Sequence, residues 1–412
     1  MNDSPTRVHT YIEKIMPQLE KTAGGKILYP YLSVGCGEHY AGVVFCWDHY
    51  HMGIRFAKAG KPEYQKYLVD NLLAYQTRDG FTPNCLSAEG PYGYFPPFHA
   101  QPFLMQAALM YVNQTGDIAW AKNQYESLKK YLHFYETDLL APQGLFRWPL
   151  SWMSGFDNDV VTTFFQPETV IPADINAWLF LEYQASAHLA KKLNCHSESD
   201  SFTAKAEQLR DAINQVLWYD KVDSYSAFNL SSQQPLFHFV DKYLNETIGY
   251  YAFQSCSNLI PLYAGIPDQD RAKRMIEKYV LNEKHFLSPF GIRSLSKSSE
   301  YYNNAMWGNP SRFGSHLRLT NSNWQGPVWI PLNYFMCQAI SHYGFEHESK
   351  DLADRTHSLL ASSINSIGSF TENYHADTGQ PLYAPTFASW NILADLMYER
   401  DENHFTNLNT PD

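Results

Sequence analysis

Two acidic residues lie in aromatic, turn-rich stretches that are far apart in the chain. Glu372 stands within residues 370–379, beside an amide and a phenol and just before a turn signal. Asp157 stands within residues 152–159, a loop that is broken by glycine. Two carboxyl groups on separate loops suit glycoside hydrolysis, because one must protonate the leaving oxygen while the other activates water or attacks the sugar. This pair indicates the chemistry more directly than any feature of the composition.

Aromatic side chains near both loops strengthen this interpretation. An apolar wall raises the pKa of a carboxyl group, so one acid of a pair can stay protonated. The rings close to the two loops in sequence are Trp152, Phe164, Phe165, Tyr374, Tyr383 and Trp390. A short acid such as Asp157 is by itself more often a turn or helix-cap residue, and Asp159 and Asp174 compete with it. Residue types alone therefore leave the choice of aspartate open.

Three further units combine a turn or a helix start with groups that suit a sugar. They contain Trp47 with Asp48, Gln101 with Pro102, and Trp324, Gly326 and Trp329 around a Gly-Pro turn. The tryptophans either staple the following helix or form the floor of a sugar subsite. Asp48 either caps a helix or accepts two sugar hydroxyls. Gln101 offers both a donor and an acceptor.

The composition is that of an acidic globular protein. Of the 412 residues, 18% are charged and 44% are hydrophobic, which is typical of a chain with a packed core. The net charge of −11 and the lack of a basic stripe argue against a nucleic-acid partner. No run reaches the roughly 18 apolar residues of a membrane span, so we expect no membrane partner.

Cysteine usage points to a reducing compartment. The six cysteines are scattered and form no CxxC pair, so the sequence predicts neither a zinc site nor a disulfide framework. No apolar signal core follows the first residues, and free thiols fit a cytoplasmic location. An exported form that has lost its signal peptide is the alternative that the sequence leaves open.

Helical periodicity dominates the chain and predicts an all-α fold. Helix signals cover residues 8–19, 47–59, 62–75, 102–115, 117–135, 172–193, 202–217, 257–264, 268–280, 329–343, 350–364 and 387–398. The one short strand candidate is 224–228. No linker divides the chain, so we expect a single domain over residues 1–412. Six helical hairpins closing into a toroid, with long aromatic loops forming the site, fit better than an open solenoid, whose repeats would have a nearly fixed period.

Five motifs, in order along the chain, resemble glycoside hydrolase family 63. They are Trp47-Asp48, Gln101-Pro102, Gly155-Phe156-Asp157-Asn158, the segment from Trp324 through Gly326 to Trp329, and Glu372-Asn373-Tyr374. The resemblance covers residues 47–390 and implies an (α/α)6 toroid with an inverting mechanism on α-glucosides or related α-glycosides. The family includes α-glucosidases and compact hydrolases of mannosylglycerate and glucosylglycerate, which this chain is similar to in size.

The resemblance also implies roles for individual residues. Asp157 matches the general acid and Glu372 the general base. Positions that would hold the sugar are matched by Trp47, Asp48, Gln101, Trp324 and Trp329, and we add Trp152, Asn158, Gly326, Tyr374 and Trp390 as expected substrate contacts. One departure stands out, because the family commonly has a small residue where this chain has Asp159. A charge there is expected to raise the pKa of the acid or to alter the leaving-group preference.

The predicted function is therefore an exo-acting α-glycosidase that needs no metal or organic cofactor. Its partner is a small glycoside, and the sugar, the linkage, the aglycone and a homo-oligomeric state are left open. If the aglycone carries a carboxylate, a cation should meet it; Arg55, Arg147, Arg293 and Arg312 are the candidates. An inverting enzyme would hold the two carboxyl groups about 6.5–9.5 Å apart, and a retaining one about 5–5.5 Å apart.

Two other classes of protein could use the same toroid. A sugar epimerase or isomerase would need histidines as proton carriers, and His39, His49, His51 and His99 lie in suitable stretches. A carbohydrate-binding protein would use the aromatic loops without needing two opposed carboxyl groups. A polysaccharide lyase would favour a basic groove, which the net charge does not support.

Overall fold

The computed structural model of the protein describes residues 3–37, 40–91, 98–236, 254–306 and 322–399. Within these ranges the side chains of Ser151, Trp152 and Pro167 are not described. Three of the residues considered above are affected. His39 and Arg312 lie outside the described residues, as does the side chain of Trp152.

The described residues form twelve α-helices. In chain order they are α1 (Ser4–Leu19), α2 (Cys46–Lys58), α3 (Glu63–Leu73), α4 (Leu104–Thr115), α5 (Ile118–Phe134), α6 (Val160–Phe164), α7 (Ala173–Lys192), α8 (His196–Ala212), α9 (Ile260–Tyr263), α10 (Gln269–Met275), α11 (Ile330–His342) and α12 (Glu346–Ile367). One π-helical turn each extends α5, α8 and α10, at Tyr135–Leu139, Ile213–Leu217 and Ile276–Val280. Four 3₁₀ helices cover Ser151–Ser154, Pro167–Thr169, Cys256–Leu259 and Ser389–Leu396. No described helix is both long and apolar enough to cross a membrane.

Short antiparallel strands occur between the helices. They are β1 (Glu20–Lys21), β2 (Tyr31–Leu32), β3 (Val43–Phe45), β4 (Cys85–Ser87), β5 (Val170–Ile171), β6 (Trp218–Tyr219), β7 (Ser224–Tyr225), β8 (Phe228–Asn229), β9 (Gln234–Pro235), β10 (Leu287–Ser288), β11 (Gly291–Ile292), β12 (Asn373–Tyr374) and β13 (Pro381–Tyr383). They pair as β1-β2, β3-β4, β5-β8-β9, β6-β7, β10-β11 and β12-β13. The predicted strand at 224–228 is in fact divided between β7 and β8 of two sheets. Strands of two or three residues are too short to show the alternation on which strand prediction depends.

Six helical elements form a closed inner ring. Its members contact one another in the order α2, α4, α7, α9, α11 and the 3₁₀ helix Ser389–Leu396, which packs back against α2. The elements α3, α5, α8, α12 and α1 pack against α2, α4, α7, α11 and Ser389–Leu396 respectively, and α10 follows α9 after a short turn. The (α/α)6 toroid predicted from the sequence is therefore confirmed. The sixth pair consists of α1 and Ser389–Leu396, which lie near opposite ends of the sequence. The sequence predicted only pairs of helices that are consecutive in the chain.

Burial explains which helices lie inside the ring. Every residue of α2 from Cys46 to Ala57 is buried, as expected for a helix that is surrounded by other elements. In α8, by contrast, only Phe202, Ala206 and Leu209 are buried, which is the narrow stripe of an outer helix. The difference places α2 at the centre of the molecule and α8 at its periphery.

The inner elements point their N-terminal ends toward one face of the toroid. Asp48 lies in the first turn of α2, Asp174 in the first turn of α7, and Trp329 at the N-cap of α11. Ser389, which begins the last 3₁₀ helix, donates a hydrogen bond to Asp48 at 2.5 Å. Helix N-termini carry a partial positive charge, so this face can accommodate several carboxyl groups.

Candidate active site

The loop that carries Asp157 is fixed by its two preceding residues. Gly155 has a φ of +83°, and a Cβ atom there would lie 3.1 Å from a ring carbon of Trp47. Phe156 is fully buried between Trp47 and Trp324, with ring centroids 5.5 Å and 4.8 Å away. Glycine is required here because the turn needs a positive φ and lies against an indole ring. The backbone just before Asp157 is thereby held against the inner ring.

Asn158 ties the same loop to residues 323–325. Its Oδ1 accepts from the backbone N–H of Trp324 at 2.6 Å, and its Nδ2 donates to Oδ1 of Asn323 at 3.2 Å. The Nε2 of Gln325 donates to the Asn158 carbonyl at 2.8 Å. All these groups are buried, so breaking any of these bonds would leave a polar atom without a partner. The expected contact between Asn158 and the sugar stays a prediction.

Glu372 is positioned mainly by backbone pairing. Its N–H donates to the Tyr383 carbonyl at 2.9 Å, beside the pairing of β12 with β13. Tyr374 and Val328 exchange both backbone hydrogen bonds, at 2.8 and 3.0 Å. The Glu372 carboxyl group then accepts a hydrogen bond from Ser322 Oγ at 3.0 Å. Glu372 is 5% exposed, so its carboxyl group is almost fully enclosed.

Three carboxyl groups influence one another electrostatically at this site. Burial, followed by the charge of Asp48, raises the pKa of Asp157 to about 7. Burial, followed by the charge of Asp157, raises the pKa of Glu372 well above its usual value, whereas hydrogen bonds from Ser322 and Tyr40 oppose the shift. Burial also raises the pKa of Asp48 to about 7, against the hydrogen bond from Ser389. The two acids that the sequence placed on separate loops are thus brought to one site.

Aromatic rings surround these carboxyl groups. The Trp47 ring contacts five other rings at centroid distances of 5.5–6.2 Å, namely those of Phe156, Phe103, Trp178, Phe335 and Trp390. Trp324 stacks on Trp329 at 3.8 Å with an interplanar angle of 9°. Such a wall excludes water, which strengthens electrostatic interactions within the site.

Among the buried polar atoms that have no hydrogen-bond partner within the described part of the chain, three belong to residues expected to contact the sugar. They are Trp47 Nε1, Gln101 Oε1 and Trp390 Nε1. A buried donor or acceptor without a partner destabilises the fold by about 1–3 kcal/mol, and bound water or a ligand can remove this cost. The sequence had selected all three residues as sugar contacts, and their unpaired atoms fit that prediction.

Other residues that were expected to contact the sugar are packed against, or hydrogen-bonded to, other groups of the protein. Trp324 and Trp329 are at most 1% exposed, and Trp329 Nε1 donates to the Asn323 carbonyl at 2.9 Å. A Cβ atom at Gly326 would lie 2.0 Å from the Asn303 carbonyl oxygen, so this glycine is needed for close packing. The Tyr374 hydroxyl accepts from the Thr371 N–H at 3.1 Å. These contacts build the walls of the site, and direct sugar binding by the same residues stays a prediction.

Asp159 and Asp174 have hydrogen-bonding roles of their own. Asp159 caps α6 by accepting from the Val161 N–H at 2.8 Å, and its other oxygen accepts from Ser255 Oγ at 2.8 Å. Asp174 accepts from Trp148 Nε1 at 3.0 Å. The expectation that Asp159 raises the pKa of Asp157 finds no support, because that shift arises from burial and from Asp48.

The hydroxyl groups around the carboxyls were not predicted from the sequence. Ser322 and Tyr40 bond Glu372, and Ser389 bonds Asp48. Serine is common in loops, and the only signal near Ser389 and Ser322 is that each lies within two residues of a tryptophan. That signal is too weak to identify them.

The three candidate histidines that the structure describes, His49, His51 and His99, do not form a proton-transfer site. His49 Nε2 donates to the Tyr64 carbonyl and His51 Nδ1 to the Trp47 carbonyl. His99 Nε2 donates to the Tyr131 carbonyl while its Nδ1 accepts from the Thr82 N–H. Burial lowers the pKa of each of these three histidines to about 3, so they stay neutral core residues. This geometry removes the main support for an epimerase or isomerase.

The described arginines are engaged away from the carboxyl cluster. Arg55 pairs with Asp395 and Glu13, Arg147 donates to the Glu168 carbonyl, and Arg293 pairs with Asp377. The expectation that one of these three meets a substrate carboxylate is thus not supported. Among the described residues, one group has spacing suited to a metal ion: His9, Glu13 and Asp395. The Arg55 guanidinium forms ion pairs with both acids of that group.

Comparisons with known proteins identify the family of this chain. The family described as the mannosylglycerate hydrolase MGH1-like glycoside hydrolase domain matches residues 42–390. A mannosylglycerate hydrolase of Rubrobacter radiotolerans is 26% identical over 215 residues, which are 52% of this chain and 40% of that protein. The chain thus matches less than half of that curated relative.

Solved structures share the fold. The GH63 mannosylglycerate hydrolase of Thermus thermophilus in complex with glucose has a TM-score of 0.69 and 18% identity, covering 95% of this chain and 100% of that one. The same enzyme in complex with Tris and D-glycerate has a TM-score of 0.68 and 16% identity, with the same coverage. Since the family match extends over most of the chain, from the β3 strand to Trp390, this protein belongs to the MGH1-like glycoside hydrolases of family 63.

Proposed function

We propose that this protein is an inverting, exo-acting hydrolase of a small α-glucoside or α-mannoside, such as glucosylglycerate or mannosylglycerate. The observation that supports it most is the pairing of Asp157 and Glu372, which separate loops bring into one buried, aromatic site where their charges interact. The unpaired polar atoms of Trp47, Gln101 and Trp390 supply places for sugar hydroxyls.

In the proposed mechanism Asp157 is the general acid and Glu372 the general base. Asp157 transfers its proton to the glycosidic oxygen as the bond between that oxygen and the anomeric carbon breaks. A water molecule on the opposite face of the ring attacks the anomeric carbon and loses a proton to Glu372. Proton exchange with solvent then restores both groups. The raised pKa of Asp157 suits an acid that must stay protonated near neutrality.

The hydroxyl groups around Glu372 suit a base. Ser322 and Tyr40 donate hydrogen bonds that favour the ionised carboxylate, against burial and the neighbouring Asp157 and Asp48. Once Asp157 is protonated, its repulsion of Glu372 is relieved. The protonation states of these coupled acids therefore depend on one another, as the proposed mechanism requires.

Proton NMR of the purified protein with a panel of α-glycosides tests the proposal. The panel contains glucosylglycerate, mannosylglycerate, kojibiose, nigerose and trehalose. We expect one member to release its sugar first as the β-anomer, before mutarotation. Initial release of α-sugar would show retention and overturn the acid and base roles, and no turnover of any member would contradict the proposed hydrolase.

We also propose that the chain is one domain over residues 1–412 and works in the cytoplasm. The sixth helix pair joins α1 to Ser389–Leu396, so both chain ends take part in closing one ring. All six cysteines are free thiols, which fits a reducing compartment.

A further inference from the structure

Asp159 connects the acid loop to a second segment of the chain. The carboxyl group is 1% exposed and uses both oxygens, one toward the Val161 N–H and one toward Ser255 Oγ, each at 2.8 Å. Ser255 Oγ in turn lies 2.9 Å from Ser257 Oγ. Asp159 is two residues from Asp157, so this connection fixes the C-terminal side of the acid loop against residues 255–257.

Residues 255–257 are in turn connected to the base through backbone pairing. Ser255 pairs with Leu295, Arg293 pairs with Val328, Val328 pairs with Tyr374, and β12 pairs with β13. Hydrogen bonds from Cys256 N to Ser294 O at 2.9 Å and from Ser294 N to Pro327 O at 3.2 Å close the gaps between these pairs. This backbone ladder, from Ser255 to Tyr374, ends two residues from Glu372.

We propose that Asp159 is a positioning residue that sets the distance between the Asp157 and Glu372 carboxyl groups by attaching the acid loop to the backbone ladder. The inference rests on the proposed function of those two acids. Asn158 holds the acid loop to residues 323–325, and Asp159 holds it to residues 255–257. Asp157 therefore lies beside two consecutive side-chain anchors that lead to different segments.

The surroundings of Asp159 favour a geometric role over an effect of its charge. Its oxygens accept hydrogen bonds from Val161, Ser255 and Ser257, and the pKa of Asp157 is raised by burial and by Asp48. Burial and then the charge of Asp159 raise the pKa of Asp174 to about 7, so the charge of Asp159 acts on that neighbour. An asparagine at position 159 would keep an acceptor for the Val161 N–H and a polar group for Ser255.

Two substrates of one sugar separate positioning of the acid from general stability. The natural glycoside needs a proton on its leaving oxygen, whereas the α-glycosyl fluoride of the same sugar has a leaving group that needs none. We expect Asp159→Ala to lower kcat on the glycoside by about 10²-fold, the typical cost of a misplacement near 1 Å. The loss on the fluoride should be much smaller, since Glu372 stays on the ladder. Asp157→Asn is the positive control for this pattern.

Two milder variants control for the case in which Asp159→Ala loses activity only because it does not fold. Ser255→Ala keeps the cap of α6 and the hydrogen bonds from Ser257 to Asp159 but removes the one from Ser255, so it should show the same pattern at lower amplitude. Asp159→Asn should turn over both substrates like the wild type, with an unchanged pH profile. Equal losses on both substrates in Ser255→Ala, or a shifted pH profile in Asp159→Asn, would overturn the positioning role while leaving the hydrolase intact. A wild-type protein inert toward both substrates would instead overturn the proposed function and this inference with it.

Discussion

The acid loop and the base strand reach the same site by different means. Asp157 is held by neighbouring side chains, namely the Phe156 ring, the Asn158 amide and the Asp159 carboxyl group. Glu372 is held by backbone pairing with Tyr383 and by the adjoining β12 strand. Side-chain anchors can be removed by a single substitution, whereas backbone pairing persists when side chains change. The acid should therefore be the more easily displaced of the two groups.

The two regions also differ in what surrounds the carboxyl group. Ser322 and Tyr40 donate to Glu372, which favours its ionised form. The residue preceding Asp157, by contrast, is packed against the rings of Trp47 and Trp324. An apolar wall favours the protonated form of Asp157, as a general acid needs. The hydroxyl donors favour an ionised Glu372, but burial and the charge of Asp157 still raise its pKa well above the usual value.

The largest expected effect comes from removing the base itself. Glu372→Gln keeps the size of the side chain and one acceptor oxygen but cannot take a proton from water. We expect kcat to fall by at least about 10²–10⁴-fold on both the glycoside and the glycosyl fluoride, since both need an activated water. Steady-state kinetics with the two substrates measures this, and circular dichroism checks that the variant folds. Near-normal turnover would remove Glu372 from the mechanism.

A smaller fall in turnover is expected when a side chain that holds the acid loop is removed, and it tests the contrast with the backbone pairing that holds the base. Asn158→Ala removes the acceptor of the Trp324 N–H and the contact to Asn323, and so loosens the acid loop. We expect a fall in kcat of up to about 10²-fold on the glycoside, and a loss of about 1–3 kcal/mol in unfolding free energy from the buried groups left unpaired. Kinetics and chemical denaturation measure the two effects.

Leu382→Ala on β13 is the matched control for the base strand. Leu382 is partly exposed, and the substitution leaves the backbone pairing of β13 with β12 in place. Turnover by this variant should stay close to that of the wild type. A loss as large as that of Asn158→Ala would show that side chains also hold the base, and the contrast between the two regions would fail.

The helices of the ring were predicted from local sequence signals. The features that the sequence did not predict depend on contacts between residues that are far apart in the chain. A helix was predicted over residues 117–135, and Asp117 at its start does cap it by accepting from the Trp120 N–H. The pairing of α1 with Ser389–Leu396 joins segments that are almost the whole chain apart, and no local pattern specifies such a contact. The same holds for the bond from Ser255 to Asp159, because a serine becomes informative only when the fold brings it to a carboxyl group.

The smallest effect on turnover is expected from a substitution of Asp174, which lies behind the acid loop. Burial and then Asp159 raise its pKa from 3.8 to about 7, so between these values the folded protein holds a proton that the unfolded chain has lost. Unfolding free energy then falls as pH rises through this window, by up to about 1.4 kcal/mol per pH unit for one such group. Asp174→Asn should remove this decline, and its stabilising effect should therefore be larger at pH 8 than at pH 4.

Thermal unfolding across this pH range, with turnover measured in parallel, tests the expectation. Asp200→Asn, at an exposed position on α8, is the control and should leave the pH dependence of the melting temperature unchanged. Other buried acids, including Asp48 and Glu182, with pKa values near 7, keep part of the decline in the Asp174 variant. A variant whose stability changes equally at both pH values would mean that the pKa of Asp174 is not raised in the folded protein. Asp174 would then add no proton-holding group beneath the loop of Asp157.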